Sequence, residues 1–233
     1  MSQLLLDISP DWQPTLENFV AGRNLELLSA LRHALHGNDA AGTGSERSFY
    51  LWGEDGSGKS HLLRACAQVS KEGGRNAIYT RGSVPSPAGN PRAAVVAVDD
   101  VEQLDDAAQI ELFNLYNRMR DSRGMLLVSG KVSPLHLELR DDLRTRLGWG
   151  LVYQVHGLND EEKKRALEQH ASSRGFVLPP EVTQYLLRHG RRDLPSLIKV
   201  ADELDAHSMR LHRPPTVPLL KEVLQHMQEA KEV

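Results

Sequence analysis

The chain has a single cysteine, Cys66, among 233 residues. One thiol can form neither an intramolecular disulfide nor a thiolate metal cage, which excludes stapled secreted scaffolds and zinc ribbons. Long apolar runs are also missing, and nowhere does the ~18-residue stretch of a membrane-spanning helix occur. The short apolar tip from Leu4 to Leu6 has no basic start and no extended apolar segment, so it does not read as an export signal. Excess positive charge is absent as well: the formal net charge is -3, which argues against a dedicated nucleic-acid binder and leaves DNA contact to a local patch or an intermediary. The ten histidines lack the i, i+4 or cysteine-partnered spacing of a metal site. These absences point to a reduced, cytoplasmic setting away from membranes. With 40% hydrophobic and 25% charged residues, what remains is an ordinary globular composition, sufficient for one large domain or two modest ones.

The most informative run is Gly53-Glu54-Asp55-Gly56-Ser57-Gly58-Lys59-Ser60, an ungapped match to the phosphate-binding P-loop pattern GxxxxGK(S/T). Glycines let the backbone curl until several N–H groups face one anion, and a following helix adds its positive dipole end. Lys59 is assigned to the β/γ-phosphates and Ser60 to Mg2+. The pattern requires a strand before it and a helix after it. Both are legible: Ser48 to Trp52 is short, apolar and β-prone, and Lys59 to Lys71 carries Leu62, Leu63, Cys66 and Val69 at helical spacing. His61, beside Ser60, joins the candidate nucleotide-binding residues.

Around this motif the sequence predicts an extended, proline-containing arm over 1–15, an α/β body over 16–157 and a helical lid over 158–233. In the body, a first helix carries Leu25 to Leu35. Strands are read at 48–52, 76–80, 93–98, 125–129 and 151–155, with helices over 106–122 and 135–147 between them. In the lid, helices are read over 160–173, 180–189, 193–211 and 217–230, with Gly175 and Gly190 as stops and Pro218 in a first turn. The fold class is therefore α/β, a five-stranded parallel sheet with a small all-helical domain appended.

Ala93 to Val98 is an apolar run of the kind buried on both faces of a parallel sheet, and it ends in Asp99 and Asp100. Two adjacent carboxylates after such a run are costly unless a cation or donors are near. Asp99 is assigned to Mg2+, and Asp100 to the place of a base acting on the attacking water, where its short reach makes it weak. Downstream, Arg146 precedes the fifth strand and Arg192 opens Arg192-Asp-Leu194. An arginine entering a neighbour's site can neutralise charge on a transferring phosphoryl group. Trp149, between two glycines, reads as packing between body and lid rather than stacking on a base.

With Asn18-Phe19-Val20-Ala-Gly22, the P-loop, Val98-Asp99-Asp100, Leu143 to Gly150 and Arg192-Asp-Leu194, the chain resembles the AAA+ ATPases, and within them the DnaA clade. The resemblance covers 16–230. It implies that Asn18, Phe19 and Val20 lie against adenine, that ADP or ATP with Mg2+ is the cofactor, that Arg146 is an arginine finger acting in trans, and that Arg192 senses nucleotide from the lid. Lys131 falls where the family's γ-phosphate sensor is usually Asp or Asn. A lysine cannot accept a hydrogen bond from lytic water, and with Asp100 this implies weak or no intrinsic hydrolysis.

The chain stops just past the lid, where an initiator of this clade continues into a DNA-reading domain. It is thus similar to DnaA-related regulators that stimulate hydrolysis of DnaA-bound ATP while docked on the DNA polymerase III sliding clamp (the beta subunit). Gln3-Leu4-Leu-Leu6-Asp7-Ile8 resembles the clamp-binding hexapeptide: the Gln3 amide suits a polar pocket, and Leu4, Leu6 and Ile8 on an extended strand suit an apolar cleft. The implied partners are DnaA and the clamp, with DNA reached through the clamp at the nucleoid, and a homodimer stays open. An ATP-driven oligomeric helicase loader or DNA-remodelling ATPase is the alternative, and a small-molecule kinase a more distant one.

Overall fold

A computed structural model describes residues 13–36, 47–86, 94–191 and 193–229. The clamp-type hexapeptide and Arg192 lie outside the described residues. Chain contacts divide the molecule into one unit comprising the residues up to Glu54 with Gly58–His156, and another comprising Asp55–Ser57 with Gly157–Val233.

In the first unit, β1 (Ser48–Trp52), β2 (Ala77–Arg81), β3 (Val95–Asp99), β4 (Met125–Gly130) and β5 (Leu151–Gln154) form a five-stranded sheet in the order β2-β3-β4-β1-β5. Every pairing is parallel, as expected when helices fill the crossovers. The central strands β3 and β4 are buried along their whole length, which explains why they read as continuous apolar runs rather than alternating ones. Alternate residues feed two cores. Phe49, Leu51, Val95, Ala97, Met125 and Leu127 pack with leucines of α1 (Leu25–His36) and α2 (Lys59–Glu72). Tyr50, Val96, Val98, Leu126 and Val128 pack with Leu112, Leu115 and Met119 of α3 (Asp106–Asp121) and with Leu143 and Leu147 of α4 (Asp141–Trp149). Each leucine taken fully out of water contributes about 1.5–3 kcal/mol, so the two apolar layers hold the strand ends in fixed register.

Element limits agree with the sequence reading to within a residue or two, except before α4. The continuous helix expected over 135–147 is instead a single 3-10 turn at Pro134–His136 followed by an extended segment, with α4 starting only at Asp141. Leu137, extended at φ -71° and ψ 129°, is buried in the second core. The backbone N–H of Arg140 donates to Gln109 Oε1 of α3 at 3.0 Å. Burial of one leucine and a tertiary hydrogen bond outweigh local helix propensity here.

The second unit contains α5 (Asp160–Ser173), α6 (Pro180–His189), α7 (Leu194–Leu211) and α8 (Val217–Glu229). Asn159 and Glu162 form a reciprocal capping box on α5, and the Asp193 carboxylate accepts from Ser196 N–H to cap α7. Leu167, Val182, Leu186, Leu197, Leu204, Leu220 and Val223 make the core between these helices. Among the described residues, no helix is long and apolar enough to cross a membrane.

Candidate nucleotide-binding site

β1 delivers the chain into the loop from Gly53, and α2 leaves it at Lys59. Gly58 is the N-cap of α2 at φ 104° and supplies no side-chain cap to the first turn. The donors there are those that an anion satisfies in a P-loop. Ser57 Oγ is buried and has no hydrogen-bond partner among the described residues. Lys59 is buried, and its Nζ donates to the carbonyls of Gly53 at 2.6 Å and Glu54 at 2.9 Å. A buried ammonium and a helix start without a side-chain cap together fit a polyphosphate. Glu54, Asp55 and Gly56 are exposed on the loop, and Ser60 is half-buried in the first turn of α2.

The segment assigned to the base contributes one ring. A Cβ on Gly58 would stand 2.6 Å from Phe19 Cε2, so the Phe19 ring lies directly on the loop. Phe19 meets His61 edge-on with centroids 5.3 Å apart, and His61 Nε2 lies 2.8 Å from the Thr15 carbonyl, a contact that requires the proton on Nε2. Burial pushes the His61 pKa below its ordinary value, against the pull of the Thr15 carbonyl; the nearby Arg64 charge lowers it further. Asn18 organises its own segment. Its side-chain oxygen accepts from Thr15 N–H at 2.9 Å, its amide donates to the Gln13 carbonyl, and its own N–H donates to Thr15 Oγ1, so Asn18 closes the loop that presents Phe19. Val20 is half-buried alongside. Asn24, not singled out by sequence, donates to the His156 carbonyl and accepts from the His156 N–H, both at 2.8 Å, fastening this segment to the chain leaving β5.

At the end of β3, Asp99 is fully buried. One carboxylate oxygen accepts from Tyr79 Oη at 2.7 Å and the other from the Ser129 hydroxyl. Each oxygen keeps a further lone pair, so the Asp99 carboxylate has the chemistry to meet a hydrated Mg2+, a cation that takes hard oxygen ligands and retains much of its water. Tyr79 is held above its ordinary pKa by burial first and by the Asp99 hydrogen bond second, and so remains a donor.

Asp100 is not a free carboxylate. It sits at φ 55°, its N–H donates to Ser129 Oγ, and its carboxylate accepts from Arg81 Nε at 2.6 Å and Gln103 Nε2 at 3.2 Å. The Arg81 pKa is raised by that contact, chiefly through the hydrogen bond. Arg81 and Ser129 escaped sequence reading, although strand register would have exposed them: Arg81 pairs with Asp99 across β2 and β3, and Val98 pairs with Val128 across β3 and β4. Lys131 is exposed one residue past β4, and the polar side chain of this strand that reaches the carboxylates is Ser129.

Arg146 stands on α4. Its guanidinium carbon lies 4.1 Å from the Trp149 ring centroid and 5.7 Å from that of Phe113 on α3. The neighbouring acids are engaged elsewhere: Asp141 pairs with Arg144 at 2.8 Å and Asp142 with Arg140 at 3.0 Å. Trp149 is 57% exposed.

The parallel sheet with its P-loop between β1 and α2, and the separate group of lid helices, define an α/β AAA+ fold. Solved structures agree. Domain III of the replication initiation protein DnaA from Thermotoga maritima superposes with a TM-score of 0.73 at 22% identity, over 91% of this chain and 95% of that one. AMPPCP-bound DnaA from Aquifex aeolicus gives 0.67 at 22% identity, over 81% and 65%. The Holliday junction branch migration motor RuvB of Thermotoga maritima gives 0.64 at 18%, over 91% and 71%. Residues 160–224 match the family described as the Hda lid domain. The match to the Hda lid thus covers the second unit, and the chain as a whole shares its fold with DnaA domain III.

Proposed function

We propose that the chain is a DnaA-related regulator of replication initiation that binds ADP or ATP with Mg2+ and supplies Arg146 in trans to ATP held by DnaA. The observation that carries this reading is the state of Arg146. Among the described residues its guanidinium has no carboxylate or hydrogen-bond partner, only two aromatic faces. An arginine so placed keeps its full charge and all five donors for an outside anion. An arginine finger contributes ~10³ to 10⁵ in hydrolysis rate at such sites.

The chain's own nucleotide is held by Lys59, Ser57 and the start of α2, with Phe19 beside the base and Ser60 and Asp99 at the metal. Turnover there is slow. Asp100 has its carboxylate tied to Arg81 and Gln103, and a carboxylate paired with a guanidinium is a poor acceptor of a proton from water. The nucleotide thus serves shape rather than work. The body 16–157 and lid 158–233 act as separate domains, with Arg192 reading the nucleotide from the lid. Gln3, Leu4, Leu6, Asp7 and Ile8 dock on the sliding clamp and bring the protein to DNA. The test is hydrolysis of DnaA-bound ATP in the presence of clamp-loaded DNA, with wild type, Arg146→Ala and a variant lacking residues 1–8. Wild type accelerates hydrolysis and both variants lose the acceleration, the first while still binding nucleotide and clamp. Full acceleration by the variant lacking residues 1–8 removes the clamp from the mechanism.

A further inference from the structure

An arginine on a solvent-facing helix has about 2 kcal/mol of rotamer entropy to lose before it can act at one point in space. Two common ways of holding it, an ion pair or a hydrogen bond to a carbonyl, would consume the charge and donors that a neighbour's phosphate requires. The neighbouring arginines use the first of these: Arg140, just before α4, is tied to Asp142, and Arg144 on α4 to Asp141. Arg146 is held differently. Trp149, three residues on and therefore on the same helix face, places its indole 4.1 Å from the guanidinium carbon, and Phe113 of α3 offers a second ring at 5.7 Å. Stacking on a ring fixes the plane of a guanidinium while leaving its N–H edge open.

Burial alone does not account for the tryptophan. It is 57% exposed, at the last position of α4, whereas the leucines of the same helix, Leu143 and Leu147, are fully inside. We propose that Trp149 is the positioning residue for Arg146, a ring whose task is to hold the guanidinium in one orientation without neutralising it. This rests on the reading of Arg146 as a group acting in trans.

The experiment measures DnaA-bound ATP hydrolysis on clamp-loaded DNA across a titration of the protein, so that the maximal stimulated rate and the concentration for half-maximal effect are read separately. Trp149→Ala is expected to lower the maximal rate by ~3- to 30-fold, the kinetic equivalent of one cation–π contact, with the half-maximal concentration unchanged. Trp149→Phe is expected to restore most of it, since a smaller ring still offers a face. In an Arg146→Ala background, Trp149→Ala should cause no further loss. The near-ultraviolet circular dichroism of Arg146→Ala should differ from wild type in the tryptophan region, a readout that does not depend on DnaA. If Trp149→Ala stimulates as well as wild type while Arg146→Ala does not, the positioning role is wrong and the finger stands. Equal losses in Trp149→Ala and Trp149→Phe, or a shift confined to the half-maximal concentration, mean that the indole touches the partner itself, and this too overturns the proposal. Wild-type stimulation by Arg146→Ala removes the reading on which it rests.

Discussion

Replacing Gly58 with alanine tests whether the loop and the Phe19 segment form one binding surface. The backbone there has φ 104°, and the new methyl would stand 2.6 Å from Phe19 Cε2 and 3.4 Å from Cζ. A non-glycine residue forced to such a φ costs about 1–3 kcal/mol. The ring must also move, and because it rests on His61, which is tied to Thr15, the 13–20 segment moves with it. If about 1.4–2.8 kcal/mol of this is lost from the bound state, nucleotide affinity falls ~10- to 100-fold. Gly74→Ala is the control, since Gly74 has φ 72° with nothing within 4 Å of the added methyl. It carries the backbone strain alone, about 1–2 kcal/mol of stability, far from the ligand. Titration calorimetry with ADP and with ATP and Mg2+ reads the affinities, and urea unfolding reads the stabilities. Wild-type affinity in Gly58→Ala would refute the joint surface, as would equal weakening in both variants.

Asn24→Ala removes two hydrogen bonds and leaves the His156 N–H and carbonyl without them. It should cost about 2–4 kcal/mol by urea unfolding, and a change below about 0.5 kcal/mol, typical of an ordinary surface site, would contradict the structure. Arg81→Ala releases the Asp100 carboxylate from its guanidinium, so single-turnover ATP hydrolysis by the isolated protein should rise several-fold; an unchanged rate would mean that reach, not pairing, limits Asp100. His61 titrates in the direction burial dictates. Its folded pKa lies below the ordinary value of about 6.5, so the unfolded chain binds the proton first. Stability is full above that pH and declines as pH falls below it. Unfolding at pH ~7.5 and ~5.5 should show a smaller decline in His61→Gln than in wild type, and equal declines would assign the effect to other groups.

Much of this site was legible because its parts are contiguous in the chain. The P-loop, the apolar run ending at Asp99 and the lid helices each announce themselves within a dozen or so residues, where glycine placement, burial on both faces and helical period act locally. The misses have a different origin. Tyr79, Arg81 and Ser129 meet Asp99 and Asp100 only because β2, β3 and β4 pair in one particular register, and a one-residue slip would turn each of them to the opposite face. Asn24 finds His156 across 132 residues. Trp149 is exposed because Leu143 and Leu147 take the inward face of α4. The start of α4 was misjudged for the same kind of reason, a leucine pulled into a core that the local sequence does not describe.

The most direct measurement is the rate of hydrolysis of ATP bound to DnaA, with clamp-loaded DNA present, on adding wild-type protein or Arg146→Ala at equal nucleotide occupancy. Wild type should accelerate the reaction strongly, and Arg146→Ala, still folded and nucleotide-bound, should leave it at the unstimulated rate. Equal acceleration by the two proteins would contradict the account, and the guanidinium lying over the Trp149 and Phe113 rings would then need another purpose.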